Sequence, residues 1–329
     1  MFEKEFETGK KAVIMAGRLI RLVQQELTSR DHFSKSDRSP VTIADFLSQA
    51  LICRILKEAH PEIPIVAEED SRELKRDENR PILERIIGFI GNNEALSGTI
   101  DEDNLFESID MGVGSPSHLY WTLDPIDGTK GFLRGEQFAV ALALIQNGIV
   151  ELGLLGCPNL ELGNHPRNKG YLFFARRGQG AEIQDITSSR GHSIQVSEKW
   201  YPENMRFVQS YVSEHSDTGL QKKIAEILKI KNPSIHLDSQ VKYGLVASGN
   251  AEIYLRIPNP RTPDYKEKIW DHAAGSLIVE ESGGVVTDIY GKKLDFSQGK
   301  TLKGNSGILA TIPGVQGKIL EIINRFVSG

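Results

Sequence analysis

Cysteine is nearly absent: Cys53 and Cys157 are the only two among 329 residues, which excludes a disulfide framework and a zinc-ligand spacing. Both sit in apolar surroundings and read as buried, reduced thiols. No apolar run approaches the roughly 18 residues that a membrane-spanning helix needs. The opening residues Met1-Phe2-Glu3-Lys4-Glu5 lack the basic-then-apolar order of a secretion signal, so a cytoplasmic protein with no membrane partner is expected. Positive charge is also in deficit, 39 Lys and Arg against 44 Asp and Glu, for a net charge of −5. That balance argues against a broad basic face for a nucleic acid polymer. A small phosphorylated ligand stays open, because a few local cations or a carboxylate-held metal suffice for it.

At this length the chain can form two domains or one domain of several layers. Residues 6–28 place Phe6, Val13, Ala16, Leu19, Ile20, Val23 and Leu27 at steps that fit an amphipathic helix. A second helix is predicted from Ile43 to about Ala59, ended by Pro61, and Ile63–Ala67 reads as a strand leading into Glu68-Glu69-Asp70. From Ser71 to His118 the chain is polar and acidic, weakly helical near Pro81–Ile90, and reads as a solvated surface insertion or a functional, mobile segment. Past Gly131 an antiparallel sheet is expected from Phe138–Ile145, the hairpin signal Asn147-Gly148, Ile149–Leu155, Tyr171–Ala175 and Ala181–Ile186. Thr187–Ser193 looks irregular, and a boundary is expected near residue 198. Beyond it strands and helices alternate, from Phe207–Tyr211 through Trp270–Glu281 to Val315–Phe326. The expected division is an α+β domain over residues 1–198 and an α/β domain over residues 199–329.

Asp124, Asp127, Glu68-Glu69 and Asp271 fall at predicted strand ends or helix starts, positions that point side chains into clefts. In Asp124-Pro125-Ile126-Asp127 the proline fixes φ and removes a donor, so a sharp turn is expected that aims two carboxylates and one carbonyl inward. Oxygen-only ligands suit a hard cation such as Mg²⁺. Converging carboxylates cannot all stay ionised alone, and the charge balance favours two divalent ions over one. Gly128-Thr129-Lys130-Gly131 then offers a glycine-flanked turn whose N–H groups can meet a phosphate. Phosphoryl transfer to water is the chemistry such a combination suits. Asp-Pro and Asp-Gly are equally ordinary turn formers. The aspartyl-phosphate phosphatases, with the motif Asp-x-Asp-x-Thr, fit poorly because here two residues separate the acids. Ser239 and Lys242 lie three apart near a predicted helix start and share a face, with Arg256 ending a strand in the same unit. Taken singly, Lys242 and Arg256 read as solvated surface charges.

Three segments, Val66-Ala67-Glu68-Glu69-Asp70, Trp121–Phe132 (WTLDPIDGTKGF) and Trp270-Asp271-His272-Ala273-Ala274-Gly275, together resemble the lithium-sensitive, Mg²⁺-dependent phosphatases of the inositol monophosphatase superfamily. Within it, Ser39-Pro40-Val41-Thr42 ahead of Asp45, the insertion at 71–118, and Leu237–Tyr243 followed by Tyr254-Leu255-Arg256 are similar to the 3'(2'),5'-bisphosphate nucleotidases. The resemblance implies a layered αβαβα sandwich, a mixed α+β and α/β fold, working as a monomer. It implies that Glu68, Asp124 and the carbonyl of Ile126 hold one Mg²⁺, and Asp124, Asp127 and Asp271 a second. Asp45 paired with Thr129 would take the proton of the attacking water. Gly128, Thr129 and Asp271 would face the reacting phosphate, and His215, Ser239, Lys242 and Arg256 the nucleotide with its 5'-phosphate. Glu69 has no ligand role in this scheme, and His272 is a helix residue beside the site. The implied reaction is hydrolysis of 3'-phosphoadenosine 5'-phosphate to AMP and phosphate, with its sulfated relative as a further substrate. An inositol bisphosphate phosphatase and a non-catalytic nucleotide-binding protein are the alternatives.

Overall fold

In the computed structural model, which describes residues 2–27, 32–35, 40–93, 96, 100–163, 170–197, 201–211, 218–259, 262 and 264–327, the apolar steps near the start become helix α1 (Glu3–Glu26). It buries Phe6, Val13, Ala16, Leu19, Ile20 and Val23 along one face. A short hairpin of β1 (His32–Ser34) and β2 (Pro40–Thr42) leads into α2 (Ile43–Ala59). That helix starts in a capping box: the Thr42 hydroxyl accepts from the Ala44 N–H at 3.1 Å, and the Asp45 carboxylate accepts from the Thr42 N–H at 2.8 Å. Strand β3 (Ile65–Ala67) follows.

The polar insertion is not a solvated appendage. It forms α3 (Arg80–Gly91) and α4 (Leu105–Asp110), and it buries Leu74, Ile82, Ile86, Phe89, Leu105 and Ile109 in the same apolar cluster as α1 and α2. Its start is tied to its end, since Asp110 accepts from the Ser71 N–H at 2.9 Å and from the Ser71 hydroxyl at 2.6 Å. In α3 the apolar residues Ile82, Ile86, Phe89 and Ile90 recur at helical spacing, and their face is covered once both helices lie against α2.

Strand β4 (Leu119–Asp127) is followed by the short helix α5 (Thr129–Leu133), then β5 (Ala139–Gln146), β6 (Ile149–Cys157), β7 (Tyr171–Arg176), β8 (Ala181–Asp185) and β9 (Gly191–Ile194). These strands make a seven-stranded sheet in the order β3-β4-β5-β6-β7-β8-β9, with β3 parallel to β4 and every other pair antiparallel. Two expectations change here. Gly191–Ile194, read as irregular, is an edge strand whose polar residues follow from its exposed position. The Asp124-Pro125-Ile126-Asp127 segment does not turn out of the sheet; β4 runs through it with a bulge between Asp124 and Asp127. Proline is tolerated in a strand at such a bulge because no ladder donor is needed there.

The remainder supplies β10 (Phe207–Gln209), α6 (Thr218–Ile227), β11 (Ile235–His236), α7 (Val241–Ala247), β12 (Ile253–Arg256), α8 (Ala273–Glu281), β13 (Val285–Thr287), β14 (Ile308–Thr311) and α9 (Pro313–Val327). The predicted helix from Trp270 thus begins three residues late, and Trp270–His272 form the turn before it. A second sheet has the order β11-β10-β12-β14-β13, with both β10 pairings parallel and both β14 pairings antiparallel. Sheet membership changes between Ile194 and Phe207.

Five layers result: α1 and α2, the first sheet, α7 and α8, the second sheet, then α6 and α9. Alternation along β5 shows how the first sheet serves two cores. Val140, Leu142 and Leu144 join α1 and α2, whereas Ala139, Ala141 and Ala143 join α8. The small residues let α8 lie close. A Cβ added at Gly153 on β6 would stand 2.7 Å from the Ala274 carbonyl oxygen.

Candidate active site

The bulge in β4 is the centre of an acidic pocket. From α2, the Ser48 hydroxyl donates to the Pro125 carbonyl at 2.9 Å, and Asp124 caps its own bulge by accepting from the Ile126 N–H at 3.1 Å. Asp124 is 2% exposed, and its carboxyl is held well above the ordinary carboxylate range. Burial is the first cause, followed by the negative charges of Glu68, Asp127, Asp271 and Asp45. Five acids from β3, β4, α2 and the turn before α8 therefore share one electrostatic pocket. Asp271 is raised well above its ordinary value by burial, Asp127 and Glu68, against the pull of Arg256. Asp127 is raised by burial, with Lys242 and the hydrogen bond donated by the Gln240 N–H opposing.

Asp45 stands beside this group and keeps one oxygen for a hydroxyl. Its Oδ2 accepts from the Thr42 hydroxyl at 2.6 Å as well as from the Thr42 N–H, while Oδ1 lies 3.4 Å from the Thr129 hydroxyl. The same hydroxyl is 3.2 Å from the Ile126 carbonyl. Burial pushes the Asp45 carboxyl up to about 7 in spite of the Thr42 bonds and Lys35. Gly128 takes φ 91°, and a Cβ there would stand 2.8 Å from the Ser239 Cβ. Only glycine lets the turn before α5 meet the turn before α7 so closely. Ser239 itself has φ 110°, a strained backbone of the kind that persists where surrounding structure enforces it.

Among the described residues of the first half, Lys35 brings a positive charge to the acids. Lys35 lies 3.4 Å from Glu68 and 2.6 Å from Glu69. Burial disfavours its ammonium, but Glu68, Glu69 and Asp45 more than offset that and raise its pKa. Glu69 is 4% exposed and is pushed up to about 8 by burial and Glu68. A single lysine does not balance this many carboxylates. The donors are all oxygen and several are buried without a counter-charge, so the pocket fits hard divalent cations.

The opposite wall is charge-paired. Lys242 is 4% exposed, donates to the Leu237 carbonyl at 3.2 Å and lies 5.4 Å over the Tyr254 ring. Burial pushes its pKa down to about 8, partly opposed by Asp127. Arg256 pairs with Glu267 at 2.9 Å and donates from Nη2 to the Tyr265 hydroxyl at 3.3 Å. Among the described residues, one group of three potential metal ligands has its donor atoms within 4.8 Å of one another: Glu267, Asp271 and His272. The imidazole is already committed, with Nε2 at 3.0 Å from Glu267 and Nδ1 at 2.8 Å from the Tyr243 hydroxyl. His272 thus caps the turn before α8 and is no ligand in this arrangement.

Asp45, Glu68, Asp124, Ile126, Asp127, Gly128, Thr129 and Asp271 come together with Ser239, Lys242 and Arg256 on the facing side. His215 lies outside the described residues. Lys35, Arg134 and Glu267 went unread in the sequence. Arg134 pairs with Asp238 and Glu136 and lies 5.5 Å from the Tyr211 ring at the rim. None of the three carries a motif, and each has at least one partner beyond the reach of a local pattern: Glu68 for Lys35, Asp238 for Arg134 and Arg256 for Glu267.

The fold and this pocket define the class. The model of the inositol monophosphatase family matches residues 3–325, and the chain belongs to that family. Its curated relatives narrow the comparison. A 3'(2'),5'-bisphosphate nucleotidase of Oryza sativa is 42% identical over 339 residues, covering 98% of this chain and 94% of that protein. The 3'(2'),5'-bisphosphate nucleotidase 1 of Arabidopsis thaliana is 45% identical over 302 residues, covering 86% and 84%. Among solved structures, the extragenic suppressor protein suhB of Bartonella henselae matches with TM-score 0.68 at 21% identity, over 98% of this chain and 99% of that one. The IMPase of Thermotoga maritima matches with TM-score 0.66 at 21% identity, over 100% and 99%. These structures share the fold, which agrees with the layered sandwich implied by the motifs.

Proposed function

We propose that this protein is a Mg²⁺-dependent phosphomonoesterase that hydrolyses the 3'-phosphate of 3'-phosphoadenosine 5'-phosphate to AMP and phosphate, and that also accepts the sulfated relative. The observation that carries this reading is the pocket's two-sidedness: carboxylates crowded with like charges face a wall with two cations, the buried Lys242 and the half-buried Arg256. A substrate with two phosphates matches it, one phosphate for each side. The names of the relatives, all bisphosphate nucleotidases at 37–45% identity, favour a nucleotide over an inositol bisphosphate.

Glu68, Asp124, Asp127, Asp271 and the Ile126 carbonyl would hold two Mg²⁺ ions. When bound, these supply positive charge to the reacting phosphate and to the departing ribose oxygen. The remaining work falls to the chain itself. Thr129, hydrogen-bonded between the Ile126 carbonyl and Asp45, orients a water toward phosphorus. Asp45 takes that water's proton as the new P–O bond forms and the bond to the 3'-oxygen breaks, and its elevated pKa suits a base working near neutrality. Gly128, lacking a side chain, admits the phosphate to the backbone at the start of α5. Ser239, Lys242 and Arg256, with His215 as a further proposed contact, receive the 5'-phosphate. Residues 1–198 thus carry most of the reaction, residues 199–329 the choice of substrate. The enzyme is proposed to act as a cytoplasmic monomer. Among the described residues no helix is long and apolar enough to cross a membrane.

Phosphate release from 3'-phosphoadenosine 5'-phosphate, its sulfated relative and inositol bisphosphates, each with and without Mg²⁺, tests the reading. Fastest turnover of the nucleotide, dependent on Mg²⁺, is expected. Preference for an inositol phosphate would replace the substrate, and binding without release would replace the enzyme by a nucleotide-binding protein.

A further inference from the structure

Behind the substrate wall three buried groups have no part in the reaction just described: Glu267, His272 and Tyr243, at 8%, 1% and 0% exposure. They form a directed chain. A carboxylate only accepts, so His272 Nε2 carries the hydrogen toward Glu267 Oε2 at 3.0 Å. Its Nδ1 must then accept, and the Tyr243 hydroxyl donates to it at 2.8 Å. The other oxygen of Glu267, Oε1, lies 2.9 Å from Arg256 Nε. Both oxygens are therefore engaged, Oε2 by the hydrogen bond from His272 and Oε1 by an ion pair, because Arg256 Nε is close to it without hydrogen-bond geometry.

The far end of this chain is rigidly anchored. Tyr243 packs edge-on against Tyr254 at 5.0 Å between ring centres, and a Cβ on Gly275 would stand 2.3 Å from its ring. The backbone of Glu267 is fixed as well, since its carbonyl accepts from the Leu302 N–H at 2.9 Å. Tyr265 closes the other edge of the guanidinium, its hydroxyl 3.3 Å from Nη2.

An unsupported guanidinium at this place would have another partner. Asp271 is among the anions that act on Arg256, and Arg256 in turn acts on Asp271. Without Glu267 the arginine would turn toward the acidic pocket and away from the facing wall. A planar fork also discriminates only when its plane is fixed.

We propose that Glu267 is a positioning residue for Arg256, and that the Tyr243–His272–Glu267 chain sets how strongly the enzyme prefers a bisphosphorylated substrate over a monophosphorylated one. This rests on the reading that Arg256 receives the second phosphate. The test compares kcat and KM on adenosine 3',5'-bisphosphate and on adenosine 3'-monophosphate for the natural protein, Glu267→Gln, Arg256→Ala and the double variant.

Glu267→Gln keeps the side chain's size and an acceptor for His272 but removes the charge that holds the guanidinium. It is expected to raise KM for the bisphosphate about tenfold, the loss common when the partner orienting a binding group is removed, with a much smaller change for the monophosphate. Its effect should vanish in the Arg256→Ala background, because both changes disable one device. Equal losses on the two substrates, or full additivity with Arg256→Ala, would overturn the proposal. If Arg256→Ala itself treats the substrates alike, the assignment of Arg256 falls and the proposal with it. If Arg256→Ala discriminates and Glu267→Gln does not, only the positioning role falls. Should Glu267→Gln not fold, Glu267→Asp reads the same outcome, since the shorter acid cannot reach both Arg256 and His272.

Discussion

The two walls of the pocket handle charge in opposite ways. Around the β4 bulge, Asp124, Asp127, Glu68 and Asp271 are surrounded by like charges, and Lys35 answers them among the described residues of the first half of the chain. Across from them, Lys242 and Arg256 each have a partner in place: the Leu237 carbonyl and Tyr254 ring for one, Glu267 for the other. The first wall is at high electrostatic cost until cations arrive. The second is held in place by these contacts, although Arg256 Nε lacks a hydrogen bond. On the function proposed above, the crowded charge is where the reaction would occur and the held cations are where the second phosphate would be recognised.

The largest expected effect breaks the first wall. Asp124→Asn should lower turnover about a thousandfold or more on every substrate, since the charge that gathers the ions is lost. The same variant should unfold at a higher temperature than the natural protein without Mg²⁺, and Mg²⁺ should no longer raise that temperature. A thermal melt that stays Mg²⁺-dependent would remove Asp124 from metal binding. On the second wall, Lys242→Ala should cost about 2 kcal/mol, roughly thirtyfold in kcat/KM, on a nucleoside bisphosphate and far less on a simple monophosphate. Equal losses would take Lys242 out of second-phosphate recognition. In the natural protein the bisphosphate KM should rise as pH passes about 8, where the free lysine loses its proton, and this rise should be missing from Lys242→Ala.

A smaller effect follows from titration of the first wall. Between pH 7 and 8 the folded, metal-free protein retains protons on Asp45, pushed up to about 7, and Glu69, pushed up to about 8, that the unfolded chain has already released. The native state then binds more protons than the unfolded one, so stability falls as pH rises over that unit, by about 1 kcal/mol for Glu69 and about 0.4 kcal/mol for Asp45, which is already half deprotonated at pH 7. Denaturant melts at the two pH values measure it, and saturating Mg²⁺ should flatten the slope. A metal-free protein whose stability rises over that window would contradict the uncompensated pocket. The smallest change is expected of Thr129→Ser, which keeps the hydroxyl beside Asp45 and should lower kcat only about threefold, against about a hundredfold for Thr129→Ala.

Much of this was readable before the fold. The helix period of α1, the Asn147-Gly148 hairpin and the Pro61 stop after α2 are local signals, and local geometry carried them into the structure. The motif residues around Glu68, Asp124 and Asp271 could be named because each sits in a string of neighbours that are themselves informative. The insertion was different. Its apolar residues show a helical period over Arg80–Gly91, but whether that face is buried depends on α2 offering a surface for it. The bulge at Pro125 was likewise mistaken for a turn, because a proline's fixed φ serves both and only the pairing with β5 decides.

The sequence by itself determined which carboxylate oxygens are available, that a disulfide framework is out of reach, and that a glycine follows Asp127. Tertiary structure alone decided the pairings: Lys35 with Glu68 and Glu69, and Glu267 joining Arg256 to His272. The physical reason is range. Backbone propensity and turn chemistry act over a few residues, whereas a charge's environment is set by whatever the fold brings within a few ångströms of it.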